Sequence, residues 1–133
     1  MRLYLDTSAL VKLVVSEPES SSLSEYLDKF PSDSSFTAAL TRTELVRAVA
    51  RRGPVEAVQH ARRLLNRLDA IALSGRLLDT AATMMPPGLR TLDAIHLAAA
   101  MSAPDLRALV TYDDRLADAA ASNGIAVVAP PLS

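Results

Sequence analysis

The sequence predicts an α/β domain, a parallel sheet covered by helices on both faces. Short apolar runs, each closed by polar or breaker residues, alternate along the chain with single amphipathic helices or helical hairpins, and that order calls for right-handed crossovers. The first run, Leu3–Tyr4–Leu5, stops at Asp6–Thr7–Ser8 and passes at once into a helical pattern of Ala9, Leu10, Val11, Leu13, Val14 and Val15, as a buried strand feeding a helix would. Half of the 133 residues are hydrophobic, enough for the core of one domain spanning residues 1–133.

Each element follows from local signals. After the first helix, Ser16-Glu17-Pro18 makes a break, with Pro18 placed to open a second helix capped by Ser16 or Glu17. Leu23, Tyr26, Leu27 and Phe30 recur at helical spacing until Pro31. Residues 32–35 read as a loop and 36–38 as a short strand. A third helix over 40–52 carries Leu45, Val46 and Val49 on its apolar stripe, with Glu44 among them. Gly53-Pro54 ends it and opens a helix over 55–68, so the two form a hairpin. Residues 69–73 read as a strand. Ser74 caps a helix through Met85 that buries Leu77, Leu78, Ala81 and Ala82, and Pro86-Pro87-Gly88 breaks it. Thr91 caps a helix with Ile95, Leu97, Ala98 and Met101 inward, ended by Pro104. A strand over 106–111 runs into Asp113 and Asp114 at the start of a helix containing Leu116, Ala119 and Ala120. Asn123-Gly124 stops that helix, and a last strand over 125–129 ends at Pro130-Pro131.

Composition narrows the chemistry. Without cysteine there are no disulfides, thiolate metal sites or cysteine nucleophile, which suits a reducing cytoplasm. The net charge of −1 gives no global pull toward nucleic acid. No targeting segment or membrane span is visible, so a soluble cytoplasmic protein is expected. Gly53, Gly75, Gly88 and Gly124 are isolated, so there is no glycine-rich phosphate loop, and Ser8 lacks the flanking glycines of a nucleophile elbow. Positive charge is uneven: seven arginines lie from Arg42 to Arg67. Arg47 and Arg51 are candidate RNA contacts, because a guanidinium fork suits phosphate; a solvated helix face is the alternative.

Four carboxylates stand out by location. Asp6 ends the first strand, where ligands bind in open parallel sheets, although helix capping is an equal reading. Asp113 follows the fourth strand, Asp93 lies in a first helical turn, and Glu44 sits on an inward stripe, where a lone carboxylate is costly. Brought together to about 5 Å, they repel by roughly 3 kcal/mol per pair at an effective dielectric near 20, so the cluster must take up protons or a cation. Oxygen ligands select Mg²⁺ or Mn²⁺. Zinc is disfavoured, since only His60 and His96 are available. His96 is expected to be a packed helix residue, with a place beside the site as the alternative. Carboxylates and a hard cation at a sheet end form an apparatus for phosphate chemistry, and Arg90, near Asp93, is a candidate phosphate contact.

The chain resembles the PIN-domain ribonucleases, and within them the VapC toxins of toxin–antitoxin pairs. The resemblance rests on Leu3-Tyr4-Leu5-Asp6-Thr7-Ser8-Ala9-Leu10, Thr43-Glu44-Leu45, Leu92-Asp93-Ala94-Ile95-His96-Leu97-Ala98 and Val110-Thr111-Tyr112-Asp113-Asp114-Arg115-Leu116, four motifs in order across essentially the whole chain. It implies a PIN-like three-layer sandwich with a five-stranded parallel sheet in the order 3-2-1-4-5. It implies catalytic, metal-binding carboxylates at Asp6, Glu44, Asp93 and Asp113, supporting hydroxyls at Ser8 and Thr111, and a less consistently used acid at Asp114. It further implies a Mg²⁺-dependent endoribonuclease cutting a structured RNA, a VapB-type antitoxin partner and a homodimer. Two rivals are a non-catalytic PIN module that binds RNA or protein, and a phosphotransfer domain with Asp6 as nucleophile. The second lacks the aspartate two residues on that such chemistry uses; Ser8 stands there.

Overall fold

The structure is a computed structural model that describes residues 1–131. Five strands, β1 (Arg2–Leu5), β2 (Ser34–Ala38), β3 (Asp69–Ile71), β4 (Leu106–Val110) and β5 (Val127–Val128), form one sheet in the order β3-β2-β1-β4-β5. Every pairing is parallel: Tyr4 lies beside Phe36 on one flank and Leu109 on the other, Thr37 beside Ala70, and Leu109 beside Val127. Seven helices cover it: α1 (Thr7–Val14), α2 (Ser20–Asp28), α3 (Thr41–Arg52), α4 (Val55–Asn66), α5 (Gly75–Ala82), α6 (Thr91–Met101) and α7 (Asp114–Ser122).

The period-two alternation of β1 builds the three layers. Leu3 and Leu5 point into a core shared with Leu10, Val11, Leu23, Leu45, Val49, Ala61 and Leu65 of α1–α4. Tyr4 points the other way, into a core with Phe36, Leu77, Ile95, Leu97, Leu109 and Leu116, against α5–α7. Helix α6 is buried continuously from Ala94 to Ala100, its alanines letting it lie close to the sheet.

Two glycines serve the turns. A Cβ on Gly53 would stand 3.1 Å from Cβ of Ala57, so glycine permits the close turn of the α3–α4 hairpin. Gly124, with φ 76°, takes the left-handed conformation after α7.

Several boundaries differ from the sequence reading. The break after α1 is a turn containing Pro18, and α2 starts at Ser20, whose hydroxyl accepts from the Glu17 amide at 2.9 Å; neither Ser16 nor Glu17 caps the helix. Strand β2 begins inside the expected loop, at Ser34, because Ser34 and Ser35 pair with Arg2 and Leu3. Strands β3 and β5 are shorter than expected, three and two residues, as edge strands with a single neighbour. Helix α5 stops at Ala82, and Leu78 and Ala82 face outward. Thr91 is the first helical residue of α6 rather than its cap; Arg90 occupies the cap without a side-chain bond. Met101 is exposed, at the last turn of α6.

Candidate active site

The sheet order changes direction between β1 and β4, the position where open parallel sheets bind ligands beyond their carboxyl ends. Asp6 leaves β1 there and is 4 % exposed. It is a helix cap as well as a candidate site residue. Its Oδ1 accepts from the Ala9 amide at 3.0 Å, capping α1, and from the Ser8 hydroxyl at 2.7 Å. Its Oδ2 accepts from the Thr111 hydroxyl at 2.7 Å. Ser8 and Thr111 lie 3.3 Å apart, and the Thr111 oxygen accepts the Asp113 amide while Ser8 accepts that of Tyr112. Thus two hydroxyls tie the end of β1 to the end of β4 through one buried carboxylate. Burial pushes the Asp6 carboxyl above its usual range, and the bonds from Thr111 and Ser8 only partly offset this.

Glu44, on α3, faces the same edge. Its Oε1 accepts from the Thr7 hydroxyl at 2.7 Å and pairs with Nε2 of His96 at 2.7 Å. Burial raises its pKa, but the bonds from His96 and Thr7 outweigh that, and the carboxyl lies below its ordinary value. His96 is buried, as expected of a packed helix residue, yet it directly contacts a candidate site carboxylate. Its Nδ1 meets the Tyr4 hydroxyl at 2.6 Å.

Asp93, in the first turn of α6, is half-buried. Its pKa is raised, first by desolvation and then by the charge of Asp113, against lowering by His96 and Arg90. The expected carboxylate repulsion is therefore present, but burial is the larger cause. Asp113 is the N-cap of α7, with Oδ1 accepting from the Arg115 and Leu116 amides at 2.9 and 3.2 Å. Asp114 is exposed one residue further on. Among the described residues, no three acidic or histidine side chains are gathered tightly enough to form a ready-made metal ligand set. Asp6, Glu44 and Asp113 each commit at least one oxygen to hydrogen-bond donors of the protein.

Arg90 is exposed beside Asp93, and Arg47 and Arg51 are exposed on α3 with no ion-pair partner among the described residues. By contrast, Arg52 is paired with Glu17 at 2.6 Å. The sequence reading passed over Tyr4 and Thr7. Strand alternation held the signal for Tyr4: it sends that hydroxyl into a core where a phenol must find a partner.

Residues 3–122 match the PIN domain family. The chain belongs to that family, within its VapC ribonuclease branch. It is 49 % identical over 130 residues to Ribonuclease VapC46 of Mycobacterium tuberculosis, covering 96 % of this chain and 97 % of that one. It is 46 % identical over 131 residues to Ribonuclease VapC35 of the same organism, with 96 % of each chain covered. In fold it is similar to a chain of a toxin–antitoxin complex from Klebsiella pneumoniae, with a TM-score of 0.71 at 22 % identity over 98 % of this chain and 99 % of that one.

Proposed function

We propose that the carboxylate edge is the site of a Mg²⁺-dependent endoribonuclease, the toxin of a toxin–antitoxin pair. The observation that carries this reading is Asp6: a buried carboxylate at the switch point, held by three neutral donors and, among the described residues, by no cationic side chain. A fold that only needed a helix cap gains nothing from burying a charge there, since serine or asparagine would cap as well. The donor set suits a hard, oxygen-seeking ion, Mg²⁺ or Mn²⁺. Asp6, Asp93, Glu44 and Asp113 are the residues that would hold it, with Asp114 the exposed alternative to Asp113. Such an ion supplies an acidified water and charge neutralisation at a phosphodiester.

The chain's own residues do the rest. Thr111 and Ser8 fix the Asp6 carboxylate. Glu44 keeps Oε2 available to orient a water and take its proton as that water's oxygen forms a new P–O bond and the P–O bond to the leaving oxygen breaks; the leaving oxygen takes its proton from solvent. Arg90 stands where a substrate phosphate would neutralise it, and Arg47 and Arg51 offer more distant phosphate contacts. A cognate antitoxin protein would silence the enzyme by setting a cation or a bulky apolar side chain at this edge; the similar Klebsiella chain comes from a toxin–antitoxin complex. A second copy of the chain would cover the apolar groove of about 610 Å³ between α5 and α6, lined by Leu78, Met84, Met85, Leu89 and Ile95. The test is RNA cleavage with and without Mg²⁺ by the wild type and D6N. Cleavage that persists in a chelator, or in D6N, would refute the reading.

A further inference from the structure

We propose that His96 is a positioning residue of this site, locked by Tyr4 so that Glu44 presents only one oxygen to the cleft. The inference rests on the nuclease reading above and assigns a role to residues outside its carboxylate set. Tyr4 leaves β1 on the face opposite Leu3 and Leu5 and is fully buried. Its hydroxyl lies 2.6 Å from Nδ1 of His96, where the phenol O–H can donate to that nitrogen. With Nδ1 accepting, the ring proton sits on Nε2 and points at Oε1 of Glu44, 2.7 Å away. Glu44 is an acceptor only, so Nε2 must carry the proton that faces it, and the Tyr4 hydroxyl stands where it can hold Nδ1 as an acceptor.

Thr7 closes the circuit. Its hydroxyl donates to the same Oε1 at 2.7 Å. Both lone pairs of Oε1 are then used, and Oε2 alone remains for an ion or a water. The circuit starts at Tyr4 in β1 and returns to the same chain segment three residues on, after crossing from α6 on one face of the sheet to α3 on the other. It is mechanically stiff. The Tyr4 ring packs edge-on against Phe36 at 5.1 Å and against His96 at 5.9 Å between centroids. Asp93 lies one helical turn before His96 on α6, so the helix that presents one site carboxylate also fixes another. Outer partners that orient ligating groups in this way typically govern affinity by 10–100-fold.

The test uses the full chain and two readouts. In nitrogen-15 NMR, His96 should carry its proton on Nε2, with Nδ1 as acceptor. In Mn²⁺ titration calorimetry, H96L should bind about tenfold more weakly than the wild type, and Y4F by a smaller factor. H96Q, whose amide reaches Glu44 as Nε2 does, should recover most of the loss. If H96L fails to fold, Y4F decides by both readouts and H96Q by Mn²⁺ affinity alone. A proton on Nδ1 with Nε2 bare, or a folded H96L with wild-type Mn²⁺ affinity, would overturn the role of His96 alone. A wild type that binds no Mn²⁺ and leaves RNA intact would overturn the nuclease reading and this role with it.

Discussion

Asp33 and Asp6, at opposite ends of the parallel strands, are held in opposite ways. At the amino-terminal edge, Asp33 is held by the Arg107 guanidinium and by the Met1 ammonium at 3.2 Å, and the Arg107 bond leads in lowering its pKa. Arg107 also lies over the Phe30 ring at 3.9 Å, Arg2 lies over Phe36 at 4.1 Å, and Arg2 approaches Asp69 at 3.7 Å. Charge at that edge is closed by charge. At the carboxyl-terminal edge, Asp6 has only hydroxyls and an amide, and its pKa is raised. The same residue type is therefore closed by cations in one place and by neutral donors in the other.

Breaking each edge should give opposite phenotypes. The largest effect is expected at Asp6 and Asp93. D6N and D93N should each lower RNA cleavage by on the order of 10³-fold, several kcal/mol of lost transition-state stabilisation, while remaining folded by circular dichroism. D33N, at the other edge, should lower the melting temperature at neutral pH and leave the cleavage rate per folded molecule unchanged. A drop in catalysis from D33N equal to that from D6N would erase the distinction between the edges.

The next effect is in pH dependence, and its sign differs between the edges. Asp6 and Asp93 have folded pKa values above their unfolded ones. Their contribution to stability is fully present below the unfolded pKa and is lost as pH rises through the folded value. Asp33 has a lowered folded pKa, so its contribution is present above the unfolded value and lost as pH falls through the folded one. The melting temperature of the metal-free protein, followed from acid to neutral pH, should therefore change slope in opposite directions, more positive in D6N and less positive in D33N. D6N removes a loss incurred on raising pH, and D33N removes one incurred on lowering it.

The smallest effect is expected from the arginines of α3. Replacing Arg47 and Arg51 by alanine should reduce the salt dependence of RNA binding by about one logarithmic slope unit per lost phosphate contact, with Mg²⁺ affinity unchanged. An unchanged slope would return them to the solvated face.

The legibility of the molecule in its sequence follows the same division. The central strands were legible, because a run such as Leu3–Leu5 bounded by Asp6 has one reading in an alternating chain. The edge strands β3 and β5 were overextended, because an apolar run does not reveal where its partner stops pairing. The outward turn of Leu78 escaped notice because an apolar residue carries no sign of which face lacks a neighbour. At the site, Asp6, Glu44, Asp93 and Asp113 were visible as carboxylates in apolar or strand-end settings. Of the partners of Glu44, Thr7 reaches it from 37 residues away with no local signal, and His96, 52 residues away, has a place beside the site as one of its two readings. The hydroxyls of Ser8 and Thr111 came from the family pattern, and the structure supplies a reason for them: both donate to Asp6.

The most direct measurement of the central claim is thermal melting of the wild type and D6N at neutral pH, with and without Mg²⁺. If the carboxyl-terminal edge is an open cation site, D6N melts at or above the metal-free wild type. Mg²⁺ then raises the wild type according to RT ln(1 + [L]/Kd) and moves D6N much less. A D6N protein that melts well below the metal-free wild type, or an equal Mg²⁺ shift in both, would make Asp6 a structural cap and contradict the claim.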